Sequence, residues 1–444
     1  MRRIIIFALL ISGHLLFAEK TVSLQEVINA ALENNDDLKA AEYEKKSTSW
    51  EKYSSLTSFL PTASYSSTIL QIDPKPVYVD DFGVPHDLDD TQRTNTAQVV
   101  LPILTGGKRI VGFFIAKRLE QIAKNDFAAT ELDTRSSAEL KFLTLIESNS
   151  LQQIADQDLR SAAKNLEIAQ IKFDTGVVSE ADLLQMQSEH ASKEASFIDA
   201  ELYYRISSTD LANFCNFEDQ ILIPTEISYQ NPIERVFEKC DPIEISQLLE
   251  GRCTERNLTL KTMEQNLSLG RWSKIMAITN NLPSLNLIYE RNWTDDYDLN
   301  DDKDESSSLM LSASVPLLPF ADTFCNYKKE HYQYKKTQLQ YSSVEKGVKL
   351  QLTSSVLTLA GSVKKLKSSE LALQYAERTL LQMEERYKNN IVSANELLSV
   401  SLMKQSSEIA VLQNQISLIK SKSELKKLLN IKTDEELLQM IITN

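Results

Sequence analysis

Few residues in this chain have the types and spacing that chemistry requires. The four cysteines, Cys215, Cys240, Cys253 and Cys325, form no CxxC, and the four histidines are scattered, so no zinc-ligand set can be drawn. Cys240 and Cys253 are spaced for a disulfide after export, with packed thiols the favoured reading. Gly106-Gly107-Lys108-Arg109 hints at phosphate binding but lacks the GxxxxGK[ST] frame, and it reads as a turn between a strand and a helix. No Ser/His/Asp or Cys/His constellation stands out. The expectation is a protein with no catalytic residues, no cofactor and no bound metal.

The elements explain why chemistry is sparse. Of 444 residues only 10 are Gly and 11 Pro, and neither type occurs in 113–175, 177–223 or 362–444. An all-β or doubly wound α/β chain needs a turn every ~10 residues, so long helices must dominate. The net charge of −14 opposes nucleic-acid binding, which needs clustered Lys and Arg. At the start, Arg2 and Arg3 precede apolar Ile4–Ile11, and Ala18 precedes charged Glu19 and Lys20. That pattern predicts a secretory signal peptide over residues 1–18. No Cys follows it, which argues against a lipidated start, and no later stretch is apolar enough for a spanning helix.

The chain repeats itself. A shift of 222 places Asn35, Leu38, Glu42, Trp50 and Leu60-Pro61 on Asn257, Leu260, Glu264, Trp272 and Leu282-Pro283. A shift of 214 places Phe173, Val178-Ser179 and Leu183-Leu184 on Tyr387, Val392-Ser393 and Leu397-Leu398. The first repeat is expected over 19–214, with a leading helix Ser23–Phe59, a β-hairpin 61–104 and a helical hairpin 108–214. A linking segment spans 215–243. The second repeat is expected over 244–430, with a leading helix Glu244–Asn281, a β-hairpin 283–318 and a helical hairpin 320–430, before a tail, 431–444.

Within the hairpins, Ala155, Leu159, Ala162, Leu166, Ala169 and Phe173 alternate spacings of four and three. Ser369, Leu373, Ala376, Leu380, Met383 and Tyr387 repeat them. That is a coiled-coil seam with small residues for close approach. A long helix near Lys108–Asp174 would reach ~100 Å at 1.5 Å per residue, matching a return helix (Ser179–Phe214) and a leading helix laid end to end. Thr175-Gly176-Val177-Val178 and Asn389-Asn390-Ile391-Val392 are the predicted tips, with Gly and Asn suited to a left-handed helix end. Asp182 and Glu396 fall in first helical turns, where the helix dipole favours an acid. Trp50 and Trp272 are expected to pack mid-helix.

Two alternating stretches lie in each repeat. Leu285, Leu287 and Tyr289 share one strand face, as do Leu309, Leu311, Ala313 and Val315. Ala63, Tyr65, Ser67 and Ile69 match Ala97, Val99 and Leu101 more weakly. Such segments suit either a half-buried sheet or a membrane strand, with Trp293 as a candidate interfacial residue. Between the strands lie acidic loops, Asp80, Asp81, Asp87, Asp89 and Asp90 in one, and Asp295, Asp296, Asp298, Asp301, Asp302, Asp304 and Glu305 in the other. Both hairpin ends therefore face water. Four strands cannot close a barrel, and open edges are not tolerated in hydrocarbon, so insertion would require several copies.

The order of elements resembles the TolC-like outer-membrane efflux protein family over nearly all of the mature chain. Ser23-Leu24-Gln25-Glu26, Ala30, Leu32-Glu33-Asn34-Asn35, Phe59-Leu60-Pro61, Leu101-Pro102-Ile103-Leu104 and Gly106-Gly107 support it. Phe173…Gly176-Val177-Val178-Ser179…Asp182-Leu183-Leu184 is the most specific stretch. The resemblance implies duplicated helical hairpins forming a periplasmic α-barrel, and a homotrimer whose strands complete a twelve-stranded outer-membrane β-barrel in lipid. It implies partners too: a periplasmic adaptor and an inner-membrane pump of RND, ABC or MFS type, in efflux or type I secretion. By the same resemblance Tyr387 is similar to a gating tyrosine, Glu396 to an entrance acid that binds cations, and Asp182 to an acidic position of the first repeat. Tips Gly176, Val177, Val178, Ser179, Asn390, Ile391, Val392 and Ser393 would dock the adaptor. Val392 and Ser399 stand where the family has a gating arginine and a second entrance acid. Seam packing competes with the gate reading of Tyr387, since its counterpart Phe173 lacks the hydroxyl. A different class, an exported coiled-coil scaffold or adaptor that never inserts, competes with the whole channel reading.

Overall fold

The computed structural model describes residues 19–75, 77–87, 91–217, 221–225, 237, 241–279, 281–295, 304–316 and 320–442. The signal segment, Cys240 and the loop acids Asp89, Asp90, Asp296, Asp298, Asp301 and Asp302 lie outside the described residues. The chain divides into two compact units. One draws on the chain up to Ala40, Ala128–Leu258 and Glu345 onward, the other on Ala41–Phe127 and Thr259–Val344.

Each predicted leading helix is two helices. α1 (Leu24–Asn34) and α2 (Asp36–Thr57) are separated by Asn35, and α5 (Pro242–Arg256) and α6 (Leu258–Thr279) by Asn257. Both asparagines take extended backbone, with ψ of 125° and 122°. Asn35 Oδ1 accepts from Leu38 N at 2.9 Å and so caps the helix that follows. The long and return helices are α3 (Lys108–Asp174) with α4 (Glu180–Cys215), and α7 (Phe320–Lys388) with α8 (Ala394–Leu428). The segment read as a tail holds a further helix, α9 (Asp434–Ile442).

In the first unit, β1 (Glu19–Val22) runs parallel to β6 (Ile221–Pro224), a pairing the sequence reading missed. It closes a core of Val22, Val27, Phe142, Leu145, Leu211 and Leu222. Tyr204 Oη donates to Leu222 O at 3.0 Å, and Leu222 N to Ser208 Oγ at 2.8 Å. Helix α9 is tied down by ions: Lys422 and Lys426 lie 2.7 and 3.0 Å from Asp434, and Lys426 lies 3.4 Å from buried Glu139. Cys215 and Cys253 are buried free thiols, which overturns the disulfide option for Cys253. Burial pushes both thiols up to about 11.

Inside each helical hairpin a serine pair is buried at the crossing. Ser148 Oγ and Ser207 Oγ lie 2.5 Å apart, and Ser362 Oγ and Ser421 Oγ 3.3 Å. The second pair is the first displaced by 214 positions, so hairpin packing repeats with the sequence.

The second unit holds a four-stranded antiparallel sheet in the order β2 (Thr62–Gln71), β5 (Thr91–Thr105), β7 (Ser284–Asp295), β8 (Asp304–Ser314). A two-stranded hairpin, β3 (Val77–Val79) with β4 (Pro85–Asp87), fills part of the first loop. Trp272 stacks on Phe114 at 4.4 Å. Trp50, expected to pack, is 72% exposed. Gly106 sits at φ +60° where an added Cβ would lie 2.7 Å from Leu282 Cβ, so the Gly106-Gly107 turn is a structural need of the strand-to-helix corner.

Candidate functional site at the hairpin tips and the sheet

The two tips share one backbone design. α3 ends with Gly176 at φ +72° and α7 with Asn390 at φ +59°. Gly176 N bonds Phe173 O and Val177 N bonds Lys172 O, at 2.9 and 2.8 Å. Asn390 N bonds Tyr387 O and Ile391 N bonds Arg386 O, at 3.1 and 2.9 Å. This is a Schellman-type end, and the left-handed residue it needs is Gly in one copy and Asn in the other. Each return helix then starts with a capping box. Ser179 N donates to Asp182 Oδ2 at 3.2 Å, and Ser393 N to Glu396 Oε2 at 2.8 Å. Asp182 and Glu396 thus each hold a helix start, and Glu396 stays exposed.

Side chains distinguish the tips. Tyr387 is 3% exposed while its counterpart Phe173 is 37% exposed. Lys172 is buried while its counterpart Arg386 is exposed. The Lys172 ammonium donates to Tyr387 O at 2.5 Å and lies 3.9 Å from the Tyr387 ring centroid. It therefore caps the C-terminal end of α7 and makes a cation–π contact. Burial lowers the Lys172 pKa from its ordinary value. Burial, and secondarily Asp182, raises that of Tyr387, whose buried hydroxyl has no hydrogen-bond partner among the described residues. Tyr387 packs with Ala169, Leu183, Met186, Ala394 and Leu397 in the tip core. Gln185 and Asn395 add a hydrogen bond between the two hairpins. Val392 packs against this core, whereas Val177 and Ile391 are 52% and 68% exposed. Lys172 was missed because nothing local distinguishes it from other seam lysines.

In the sheet, the register sorts side chains by face. Ala63 pairs Val99, Val99 pairs Tyr289, and Tyr289 pairs Leu309. Leu101 pairs Leu287, which pairs Leu311. All belong to one apolar face. Its residues are exposed, as are those of the opposite face on the edge strands: Tyr65 is 64% exposed, Leu309 70% and Leu311 62%. Toward its loop end, Tyr65 donates to Asn95 at 3.0 Å and its ring lies 5.9 Å from that of Trp293. The other face carries Ser64, Ser66, Gln98, Glu290, Asn292, Ser308 and Ser312, interrupted by the apolar row Val100, Ile288 and Met310. There Gln98 Nε2 and Asn292 Nδ2 both donate to Glu290, at 3.0 and 2.7 Å. Among the described residues β2 and β8 are each paired along one side only. Among the described residues no helix is long and apolar enough to cross a membrane, and no group of ligands could hold a metal.

The sequence profile of the family described as Outer membrane efflux protein matches residues 27–216. No curated protein matches the chain. Among solved structures, the CmeC outer membrane channel of Campylobacter jejuni is similar at 15% identity and a TM-score of 0.76, over 94% of this chain and 89% of that one. The outer membrane protein VceC of Vibrio cholerae follows at 14% identity and 0.73, over 91% and 95%. The open state of the Neisseria gonorrhoeae MtrE outer membrane channel gives 14% and 0.71, over 92% and 89%. At these identities the likeness is one of fold. Residues 27–216 thus match the outer membrane efflux protein family in sequence, and the fold of solved outer-membrane channels is shared along nearly the whole chain.

Proposed function

We propose that three copies assemble so that their sheets complete a twelve-stranded outer-membrane barrel, and that the chain is the exit duct of a tripartite efflux or type I secretion system. The observation that carries this reading is the sheet: one exposed face lined with apolar side chains, an opposite face that is mostly polar apart from Val100, Ile288 and Met310, and edges on β2 and β8 that hydrocarbon does not tolerate unpaired. Neighbouring copies satisfy those edges, and the polar face then lines the duct. Passage is a matter of lumen width and charge, with no catalytic step and no cofactor; energy comes from an inner-membrane pump.

The exposed Val177 and Ile391 at matching tip positions are the docking points for a periplasmic adaptor, with Gly176, Val178, Ser179, Asn390, Val392 and Ser393 shaping the two turns. Tyr387 and Lys172 hold the hairpins together at the entrance. Glu396, and Asp182 beside the tip core, supply negative charge there for cations. The test is separation of membranes by density, followed by carbonate and urea washing. Retention in the outer-membrane fraction is expected; release into the soluble periplasm would replace the duct with a non-inserting scaffold.

A further inference from the structure

The two faces of the sheet treat charge differently. On the face of Tyr65 and Leu309, Arg291 pairs with Glu305 at 2.8 Å, so that charge is matched within the sheet. On the opposite face the register aligns two neighbouring rows. One joins Gln98, Glu290 and Ser308; the other joins Val100, Ile288 and Met310. Glu290 is the only ionisable side chain of the two rows, and its partners are neutral. Gln98 Nε2 donates to its Oε2 at 3.0 Å and Asn292 Nδ2 to its Oε1 at 2.7 Å. Amides from two strands thus hold both carboxylate oxygens and leave the charge uncancelled; among the described residues no Lys or Arg pairs with it. The apolar row lies two residues along each strand, ~7 Å away at 3.4 Å per residue. Met310 in that row is 50% exposed.

Simple wetting does not call for three apolar side chains in register, and packing does not call for an uncancelled carboxylate. A ligand that satisfies both is an organic cation with an apolar body. We infer that this face carries a binding site for such cations, with the positive group at Glu290 and the apolar body across Val100, Ile288 and Met310. The inference rests on the duct reading, in which this face lines the lumen and three copies repeat the site at one level of the barrel. The carboxylates raise the local concentration of cations, and the flexible thioether of Met310 adapts to bodies of different shape. The site is open to water, so a bound cation is also released, as conduction requires.

The test places oligomers of the full-length protein in planar lipid bilayers, with tetramethylammonium and tetrabutylammonium as probes. Tetrabutylammonium should block the potassium chloride current more strongly than tetramethylammonium. Glu290→Gln should weaken block by both by about fivefold, the size of a solvent-exposed ion pair. It should also lower the cation preference read from the reversal potential in a salt gradient, while Glu290→Asp, which keeps the charge, retains that preference. Ile288→Thr with Met310→Ser should bring tetrabutylammonium block down to the tetramethylammonium level and leave the reversal potential where it was. Channels that conduct but whose block ignores Glu290→Gln would overturn the site and leave the duct standing. So would an Asp variant that loses the preference as fully as the Gln variant, since the carboxylate would then serve the wall alone. Equal block by the two probes in the unsubstituted protein would refute the apolar half of the site. Oligomers that never conduct would remove the duct and the site together.

Discussion

The helical hairpins and the four-stranded sheet draw on similar apolar residues and dispose of them in opposite ways. At the tips, Leu397, Met186 and Tyr387 are almost wholly withdrawn from solvent inside one chain. On the sheet, Leu309, Leu311 and Tyr65 remain exposed on one face. In water such a face beside open strand edges would invite aggregation. One chain therefore follows two solvent rules. The hairpins hide carbon from water, and on the proposed reading the sheet offers carbon to a surrounding that is itself hydrocarbon while turning serine, glutamine and glutamate the other way.

Substitutions on neighbouring strand positions would break that contrast most sharply. Arginine on the lipid side of a barrel costs ~2–4 kcal/mol near the bilayer midplane, and lumen-side changes tune selectivity instead. Leu311→Arg should disappear from urea-washed outer membranes while Ser312→Arg remains; equal retention would mean the two faces see one medium. Next in size is transport. Val177→Asp combined with Ile391→Asp should abolish export of a tracer substrate while native-gel oligomers persist, because both side chains are exposed and leave the tip core intact. Unimpaired export would take docking away from the tips.

The hairpin side of the comparison is sharpened by stability. Leu397→Ala should cost ~2–5 kcal/mol, whereas Leu381→Ala, at a position 64% exposed, should stay within about 0.5 kcal/mol. Urea unfolding followed by helical circular dichroism checks both, and equal losses would deny a tip core. The smallest effect concerns charge alone. Glu396→Gln can still complete the capping box, so it should leave folding unchanged and weaken conductance block by divalent cations. Unchanged block would place the cation site elsewhere.

The sequence disclosed what repeats. The shift of 214 aligns the two tips residue for residue, and the alternating segments fall into the sheet in the anticipated pairing. Features formed once were hidden. Lys172 meets Tyr387 across more than two hundred residues of chain, and its burial comes from that meeting rather than from its neighbours. The breaks at Asn35 and Asn257 went unread because Asn is an ordinary helix residue by propensity. Only the capping bond of Asn35, and the bond from Asn257 Nδ2 to Leu428 O at 3.1 Å, reveal them as stops. Trp50 and Trp272 share a mid-helix position that reads alike in sequence. The stacking ring of Phe114 is supplied to only one of the two.

The parallel pairing of Glu19–Val22 with Ile221–Pro224 sets an order of events. A chain delivered from its beginning presents β1 first, yet the strand that completes it arrives only after the entire first repeat has followed. Contacts of such long sequence separation form late, so β1, with Val22 destined for the core, must wait unpaired in an aqueous compartment. During that interval it is an adhesive edge.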